Sequence, residues 1–515
     1  MKKMLSSCLA AGTALVAAQV AEAGTAPYFT PLTQSSAVAS AGHVNELSSP
    51  WQTPAGISQV QVTSMNEIES DPSQSVVRVS SLGSVGSMWD MVTYDAAGEF
   101  IFIPHETQYG AGVSRYDIAA DTTTALFSGD GGGATGDWSN DFGAFDPARM
   151  TPWGSLFVAE EWSGEGRVVE ILNPYADPAD IQIAEKHAFA NVSVEGFDFS
   201  IAEPNVAYYV DEDNSGSIYK LVASDDTFDA GQTFVLSVDD FAGNPVANWN
   251  AADVRTGLAT WVPITDADGN PLTPTDPFVV TPGNPRPGRL AANEVGGTPY
   301  GRPEDTAVAR QRNGNEVLYF TATSENAVYS VEMLDAGRAI VRLFASEATT
   351  PKNVGFAGTT ARLNSPDNLA LDAVGNLYVI EDAPNGDVVG GDIWFARDAD
   401  NDGVAESLDH FLSLQVNGAE STGMVFDPVN PTQFVVAVQH PTTTGLAGGQ
   451  GDALWLFDIA DVVPPTCQLE SRGTWWSWVG GWAKTCSSDR DFNFIEKLER
   501  TVRRGGNHGH GYGHD

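Results

Sequence analysis

Residues 366–382 read Pro-Asp-Asn-Leu-Ala-Leu-Asp-Ala-Val-Gly-Asn-Leu-Tyr-Val-Ile-Glu-Asp, two short apolar runs separated by a turn. The second run is rich in β-branched and aromatic residues, and the Gly375 turn between the runs predicts a β-hairpin. Acidic residues stand at both ends, with Asp367 before the first strand and Glu381 and Asp382 after the second. This stretch is the clearest copy of a unit that recurs along the chain.

The recurrence decides the fold class. Apolar spacing typical of helices is almost absent, so we expect an all-β protein. Each unit has a strand ending in a turn, a second apolar strand, an acidic or polar loop and a third strand. The six units open at Met88, Phe145, Glu195, Glu304, Pro366 and Glu420.

Such units cannot bury both faces alone, and radial stacking around an axis solves this problem. The sequence therefore predicts a six-bladed β-propeller with loop insertions. Unrelated strands of a β-sandwich would also give hairpins, but a sandwich does not require the same polar residue at the same strand end in unit after unit.

The ends of the chain differ from the repeats. Cys467 and Cys486 flank a Trp-rich segment, and in an oxidising compartment we expect them to pair and close a small C-terminal extension with a flexible His/Gly tail. The expected organisation is a signal peptide (1–23), an N-terminal segment packing on the propeller (24–79), the propeller (80–462) and the C-terminal extension (463–515).

The first 23 residues predict export. Lys2 and Lys3 precede an apolar stretch that ends in Ala21-Glu22-Ala23, the pattern of a general secretory signal peptide. We therefore expect a periplasmic or secreted protein. No later run of about 20 apolar residues predicts a membrane span.

The net charge of the chain restricts the kinds of molecule that it can bind. With 67 acidic and 26 basic residues, the formal net charge is −41. This charge argues against nucleic acid and anionic membranes as partners. A surface adapted to salty water and internal carboxylate clusters neutralised by cations are both consistent with it. We expect a monomer that acts on a small substrate.

The polar positions of the repeats predict metal binding. Most units place an acidic or amide residue at the first strand and polar residues after the second. In a propeller, equivalent positions form a ring around the axis, and like charges at about 4 Å repel by about 4 kcal/mol at an effective dielectric of about 20. Any one of these acids alone is a common turn residue, but their recurrence predicts bound cations. Oxygen ligands favour several Ca²⁺ ions, and His105 and His440 leave room for a transition metal.

A separate motif begins at Asp398 and predicts a calcium loop. Oxygen-bearing residues occupy positions 1, 3, 5, 7, 9 and 12, with Gly403 at position 6, as in an EF-hand loop. The alternative is a solvated Asp-rich turn. The expected ligands are Asp398, Asp400, Asp402, Val404 through its carbonyl, Glu406 and Asp409.

Several strings also resemble one known family. Thr-Pro-Trp-Gly-Ser at 151–155, Gly-Arg-Pro-Glu at 301–304, Ser-Pro-Asp-Asn-Leu at 365–369 and Val-Gln-His-Pro at 438–441 resemble, in this order, the PhoX family of secreted metal-dependent phosphatases. The resemblance covers roughly residues 80–460. It implies a propeller with iron and calcium in its central mouth that hydrolyses phosphate monoesters.

The resemblance also implies roles for individual residues. Arg302 would hold the phosphate, unless it forms a structural salt bridge instead. We take Arg302, Glu304 and His105 as candidate catalytic residues. By position, the leading metal ligands are Glu195, Glu304 and Glu420, with Glu160, Asp211, Asp367, Asn368 and Glu381 around them.

Two departures from the family point to a calcium-dominated relative. The family's iron is held by a cysteine, but Met150 and Ala159 occupy that neighbourhood, and no cysteine stands between Cys8 and Cys467. The family typically uses a twin-arginine signal, which this chain lacks. A calcium-dependent lactonase-like hydrolase, which the 365–369 string also resembles, and a non-enzymatic calcium-stabilised binding protein remain alternatives.

Overall fold

The computed structural model describes most of the repeat region. The signal peptide predicted over 1–23 and the predicted Cys467–Cys486 pair lie outside the described residues. The described residues are 28–36, 48–71, 73–74, 88–225, 227–245, 249, 253–373, 375–382, 391–416, 418–441, 450–462, 468–471 and 482–485.

The named strands form antiparallel sheets. The N-terminal strands are β1 (Trp51–Gln52) and β2 (Ser58–Ser64). The first sheet contains β3 (Thr93–Tyr94), β4 (Phe100–His105), β5 (Gly112–Asp117) and β6 (Thr122–Ser128). The second contains β7 (Phe145–Met150), β8 (Leu156–Glu160), β9 (Val168–Ile171) and β10 (Ile183–Glu185).

The third sheet has nine strands. Its first half comprises β11 (Val194–Phe199), β12 (Val206–Asp211), β13 (Ile218–Ala223) and β14 (Gly231–Val238). β15 (Gly257–Pro263) follows β14 in the sheet. The second half comprises β16 (Pro303–Arg310), β17 (Glu316–Ala322), β18 (Ala327–Met333) and β19 (Arg338–Ser346).

The last sheets include the N-terminal strands. The fourth contains β20 (Pro366–Leu371), β21 (Leu377–Glu381), β22 (Asp392–Arg397) and β23 (Ser407–Leu414), with β1 at its edge. The fifth contains β24 (Glu420–Phe426), β25 (Gln433–Gln439) and β26 (Ala453–Asp458), with β2 at its edge. A separate pair joins β27 (Gln468–Ser471) to β28 (Trp482–Thr485).

Helices are few and short among the described residues. α1 (Met65–Ser70) begins after Ser64, whose hydroxyl accepts a hydrogen bond from the Glu67 N–H and caps the helix. α2 (Pro287–Glu294) precedes β16. Neither is long and apolar enough to cross a bilayer. Short 3₁₀ turns lie at Gly132–Thr135, Pro178–Asp180 and Thr323–Glu325.

The sheets are arranged as in a propeller. Their first strands contact one another in the circular order β3, β7, β11, β16, β20 and β24, and β24 returns to β3. This confirms the all-β, propeller-like prediction. The described strands do not form six separate blades, because β15 pairs with both β14 and β19 and joins the outer edges of two units into one sheet.

The apolar cores lie between neighbouring sheets. Tyr378 and Phe411 of the fourth sheet pack with Phe434 and Trp455 of the fifth, and all four are almost fully buried. Burying a side chain of this size stabilises a fold by roughly 1.5–3 kcal/mol. Because each sheet buries apolar side chains against its neighbours, the first strands and their polar ends are held around the axis.

Candidate metal centre

Four of the first strands carry an acidic residue at the first position of a β-bulge. In the second to fourth sheets two residues of the first strand face one residue of the next strand, and the first of the two is acidic. Such a bulge bends the strand and re-aims its side chain, which explains why acids of separate units meet. The acidic bulge residues are Asp146 in β7, Glu195 in β11, Glu304 in β16 and Asp367 in β20.

The first and last units meet the axis differently. β24 has its bulge at Gly423, which has a φ of +56°, and a Cβ there would lie 2.2 Å from the Asp90 carbonyl oxygen. Only glycine allows this approach. Asp90 precedes β3, and its carboxylate accepts hydrogen bonds from Thr422 and from Gln439 Nε2 at 3.3 Å. The last unit thus contributes polar side chains that hold Asp90.

A second set of acids follows the second strands. Glu106, Glu161, Glu212 and Asp382 each come directly after the last residue of β4, β8, β12 and β21. Each of the four interacts electrostatically with acids at the first strands or at neighbouring second strands. Both ends of the first hairpin in several units therefore contribute to one acidic centre.

The carboxylates of this centre form groups with metal-ligand spacing. In each group one oxygen per residue lies within 4.8 Å of the others. Glu304, 1% exposed, has no hydrogen-bond partner for either oxygen within the described part of the chain, and the same holds for Asp367 Oδ1 and Asp146 Oδ1. Buried oxygens in this state are costly unless an ion or water satisfies them, so the site fits cations. The groups are Asp90, Glu106 and Asp146; Glu161, Glu195 and Glu212; and Glu195, Glu304 and Asp367.

Burial and mutual repulsion favour the protonated acids. Burial, and then the neighbouring acids, raise the pKa of Glu106 to about 8 and that of Asp90 to about 7. Burial and the charge of Glu304 raise the pKa of Glu212 to about 7, although Arg302 opposes them. The same causes raise the pKa of Asp146, Glu161, Glu195, Asp367 and Asp382 well above the usual range.

Two cationic side chains border the acids. Arg302 Nε donates to Glu212 Oε1 at 2.5 Å, and Arg302 Nη2 lies 3.1 Å from Glu304 Oε1. Glu420 Oε2 lies 3.0 Å from His440 Nε2. Burial opposes ionisation of His440, but Glu420 raises its pKa to about 10, so the imidazole carries a charge at neutral pH. Arg302 is therefore both a structural ion-pair partner and a cation at the acidic centre.

Three of the residues predicted as ligands lie outside this centre. Each is the last residue of a second strand, and its carboxylate already accepts hydrogen bonds from neighbouring groups of the protein. Glu160 pairs with Arg167, with Oε1 to Nη2 at 2.6 Å, and Asp211 accepts two hydrogen bonds of 2.7 Å from Arg289. Glu381 accepts from Asn364 N–H and Trp394 Nε1, both at 2.7 Å. Successive side chains of a strand point to opposite sides, so the next residue reaches the acidic centre instead.

Two other predicted site residues form hydrogen bonds with neighbouring residues of the protein. His105, the last residue of β4, is buried, and its Nε2 lies 2.8 Å from Ser114 Oγ. Burial lowers the pKa of His105 to about 3, so it is neutral. Asn368 Oδ1 accepts from Gly423 N–H at 2.6 Å, which ties β20 to β24 beside Asp367.

The predicted calcium loop is only partly assembled. Asp398, Asp400 and Glu406 have carboxylate oxygens within 4.8 Å of one another. Asp402 Oδ1 instead accepts from the Val404 N–H at 3.0 Å. The sixth predicted ligand, Asp409, lies in β23, where its carboxylate pairs with Arg397 and accepts from Val354 N–H at 2.9 Å. The structure therefore separates Asp409 from the other acids of the loop.

Sequence reasoning missed several members of the centre. Asp146, before Pro147 in the second unit, is not among the predicted ligands. Glu106, Glu161, Glu212 and Asp382 follow the second strands, but the predicted site residues are the ones directly before them. The alternation of side chains beyond the strand end is the signal that distinguishes the two positions.

Comparison with known proteins identifies the family of the chain. The family model described as alkaline phosphatase PhoX matches residues 158–442. No curated protein sequence matches the chain. A solved structure of Pseudomonas fluorescens PhoX, in complex with vanadate, a transition state analogue, has the same fold at a TM-score of 0.57 and 15% identity, covering 85% of this chain and 99% of that one.

Other solved structures are more distant. A virginiamycin B lyase from Staphylococcus aureus is 9% identical, covers 78% of this chain and 99% of its own, and has a TM-score of 0.39. A calcium-binding regucalcin from Agrobacterium tumefaciens is 12% identical, covers 72% and 89%, and has a TM-score of 0.32. Scores this low support no conclusion about function. The family match spans more than half of the chain, and the protein belongs to the PhoX family.

Proposed function

We propose that this protein is an exported, calcium-dependent phosphatase that hydrolyses small phosphate monoesters at the axis of its propeller. Family membership supports a phosphatase-like hydrolase. The observation that carries the proposal is the buried acidic centre, in which both oxygens of Glu304 have no hydrogen-bond partner among the described residues. Export and a monomeric state are part of the proposal, and the N-terminal 1–23 pattern supports export.

We count the propeller as six-bladed. In the nine-stranded sheet, β11–β14 and β16–β19 each repeat the order of the four-stranded sheets, and each half begins with a bulged strand. β15 would then be a linker strand between the outer edges of two blades. Six blades would give the acids at the axis the ring arrangement that the sequence repeat predicts.

The donor set favours calcium over iron. Within the described ranges, the groups at the axis consist of carboxylates alone, which are hard oxygen ligands that suit Ca²⁺. The thiolate that the family uses for iron has no counterpart, because no cysteine stands between Cys8 and Cys467. We therefore assign several Ca²⁺ ions to the centre, held by the bulge residues of the first strands and the acids that follow the second strands.

The residues of the chain have separable tasks in this reaction. When bound, divalent cations would neutralise the phosphoryl oxygens and the charge that develops on them. Arg302 would bind the phosphoryl group, because a guanidinium offers five N–H donors and the hydrogen bond to Glu212 uses one of them. The charges of Glu212 and Glu304, the latter 3.1 Å from Nη2 without a hydrogen bond, hold Arg302 in place. His440, charged and paired with Glu420, adds positive charge at the border of the centre.

Metal analysis and kinetics of one variant test the proposal. Purified protein should contain calcium and release phosphate from p-nitrophenyl phosphate, and dialysis against a chelator should abolish turnover until calcium is restored. Glu304→Gln should lower kcat/KM by roughly 100-fold or more, since it removes a buried charged ligand. Glu347→Gln, at an exposed ion pair with Arg362, is the matched control and should leave activity unchanged.

Two results would contradict this proposal. One is calcium-loaded, folded protein that releases no phosphate from any small monoester, which would leave a lactonase-like enzyme or a binding protein. The other is turnover that survives complete calcium removal.

A further inference from the structure

One aromatic side chain reaches from the acidic centre into solvent. Trp162 follows Glu161, and its indole N–H donates to Glu106 Oε1. The other oxygen, Glu106 Oε2, accepts from Gln439 Nε2 at 2.9 Å. Trp162 is nevertheless 38% exposed. The nitrogen edge of the ring therefore touches a member of the acidic centre, while part of the ring remains open to solvent.

The segment that carries this ring is held by buried contacts. Arg286, only 9% exposed, donates from Nη2 to the carbonyls of Glu161 at 2.5 Å and Ser163 at 3.1 Å. Its Nη1 donates to the Gly164 carbonyl at 3.1 Å. Ser163 Oγ donates to the Gln108 carbonyl at 2.6 Å. Trp162 thus stands on a pinned backbone, so its ring is pre-positioned and a ligand would have little further order to impose on it.

The exposed part of the indole is available for contact with a ligand. Its N–H is already satisfied by the Glu106 carboxylate, so the open part of the ring offers an apolar face rather than a hydrogen bond. Under the proposed function the phosphoryl group binds at the acidic centre, which the nitrogen edge of the ring contacts through Glu106. The part of the substrate that extends from that group is its leaving group.

We propose that Trp162 is a specificity-determining residue that stacks on the leaving group and favours phosphate monoesters of planar aromatic alcohols over aliphatic ones. This inference rests on the proposed function, since it identifies the substrate class of the same site. Stacking of the leaving group on a fixed aromatic ring is strong enough to raise kcat/KM for aromatic over aliphatic substrates by roughly tenfold.

Two substrates of matched chemistry isolate the effect. Benzyl phosphate and butyl phosphate both release primary alcohols of similar basicity, so their kcat/KM ratio reports contacts with the leaving group. The ratio should be roughly 10 for the calcium-loaded protein and should fall to near 1 in Trp162→Leu. Trp162→Phe keeps a stacking ring but loses the N–H, and it should retain most of the ratio. Phe356→Leu, at another exposed aromatic residue (39% exposed), should not change the ratio.

The outcomes separate this inference from the function beneath it. If both Trp162 variants lose activity equally toward both substrates, the residue only anchors Glu106 and the stacking role is wrong. Wild-type protein that hydrolyses butyl phosphate as fast as benzyl phosphate also overturns the stacking role, while it upholds the phosphatase. Protein that hydrolyses neither substrate, nor p-nitrophenyl phosphate, overturns both.

Discussion

Removing divalent cations should make the stability of this protein fall as the pH rises from about 5 to 8. The reason is the set of buried acids with raised pKa values, about 7 for Asp90 and Glu212 and about 8 for Glu106. In the unfolded chain these groups lose their protons near pH 4. Between about pH 4 and 8 the native state therefore binds more protons than the unfolded state, and the free energy of unfolding decreases with pH.

The size of this pH effect on the free energy of unfolding can be worked out for a single carboxyl group. Each extra proton held by the native state changes the free energy of unfolding by about 1.4 kcal/mol per pH unit. For Asp90 alone, a pKa of about 7 instead of 3.8 corresponds to about 4 kcal/mol lost by pH 8. Glu106 and Asp90 repel each other and share this cost, so the whole centre contributes less than the sum of its members.

Urea denaturation of metal-free protein at pH 5, 6, 7 and 8 measures this slope. Saturating calcium should remove most of it, because a bound cation stabilises the ionised acids. The double variant Asp90→Asn, Glu106→Gln should flatten the metal-free slope. Asp239→Asn, at a surface pair with Arg338, is the control and should leave it unchanged.

A metal-free protein whose stability is constant or increases between pH 5 and 8 would refute this reasoning. So would a calcium effect of the same size at pH 5 and pH 8, because protonated acids should bind the cation less well.

Three further predictions test other parts of the site. Arg302→Lys should lower kcat/KM for p-nitrophenyl phosphate by roughly 10- to 100-fold with calcium content unchanged, since lysine cannot replace a guanidinium fork. Arg286→Met should lower the free energy of unfolding in urea by about 3 kcal/mol, because buried carbonyls lose their donor, whereas Arg338→Met on the surface should leave it nearly unchanged. Asp400→Asn should remove about one calcium per chain in equilibrium dialysis without changing kcat/KM, if the Asp398–Glu406 loop binds calcium.

The repeat in the sequence was sufficient to predict the fold class, and it selected three acids that lie close together in the structure. Hairpin units with an acid at the first strand led to Glu195, Glu304 and Asp367, and the structure brings these three together. It could not show that β15 would join two units, because that pairing connects strands separated by a long insertion. Pairing between distant strands depends on geometry that local patterns do not contain.

The choice between adjacent acids failed for a different reason. Glu160 and Glu161 have the same chemistry, and only the strand register decides which one reaches the axis. Shifting a strand by one residue reverses the direction of every side chain. Glu160 instead accepts hydrogen bonds from Arg167 and from Gly143 N–H at 3.0 Å. A sequence pattern locates the end of a strand to within one or two residues, which is too coarse for this choice.

The bulges explain why acids that repel one another stay in place. Beside Glu304, the second bulge residue Asp305 accepts from Leu369 N–H at 2.9 Å and pairs with Arg149 at 3.1 Å, which ties three strands together behind the centre. The backbone therefore cannot move to relieve the repulsion between the acids. The repulsion instead raises their pKa values, so that the acids bind protons. A divalent cation that displaces those protons offsets the repulsion between carboxylates that the folded chain already holds close together. Hence the rigidity of the bulged strands, more than the number of acids, should set the affinity of the centre for calcium.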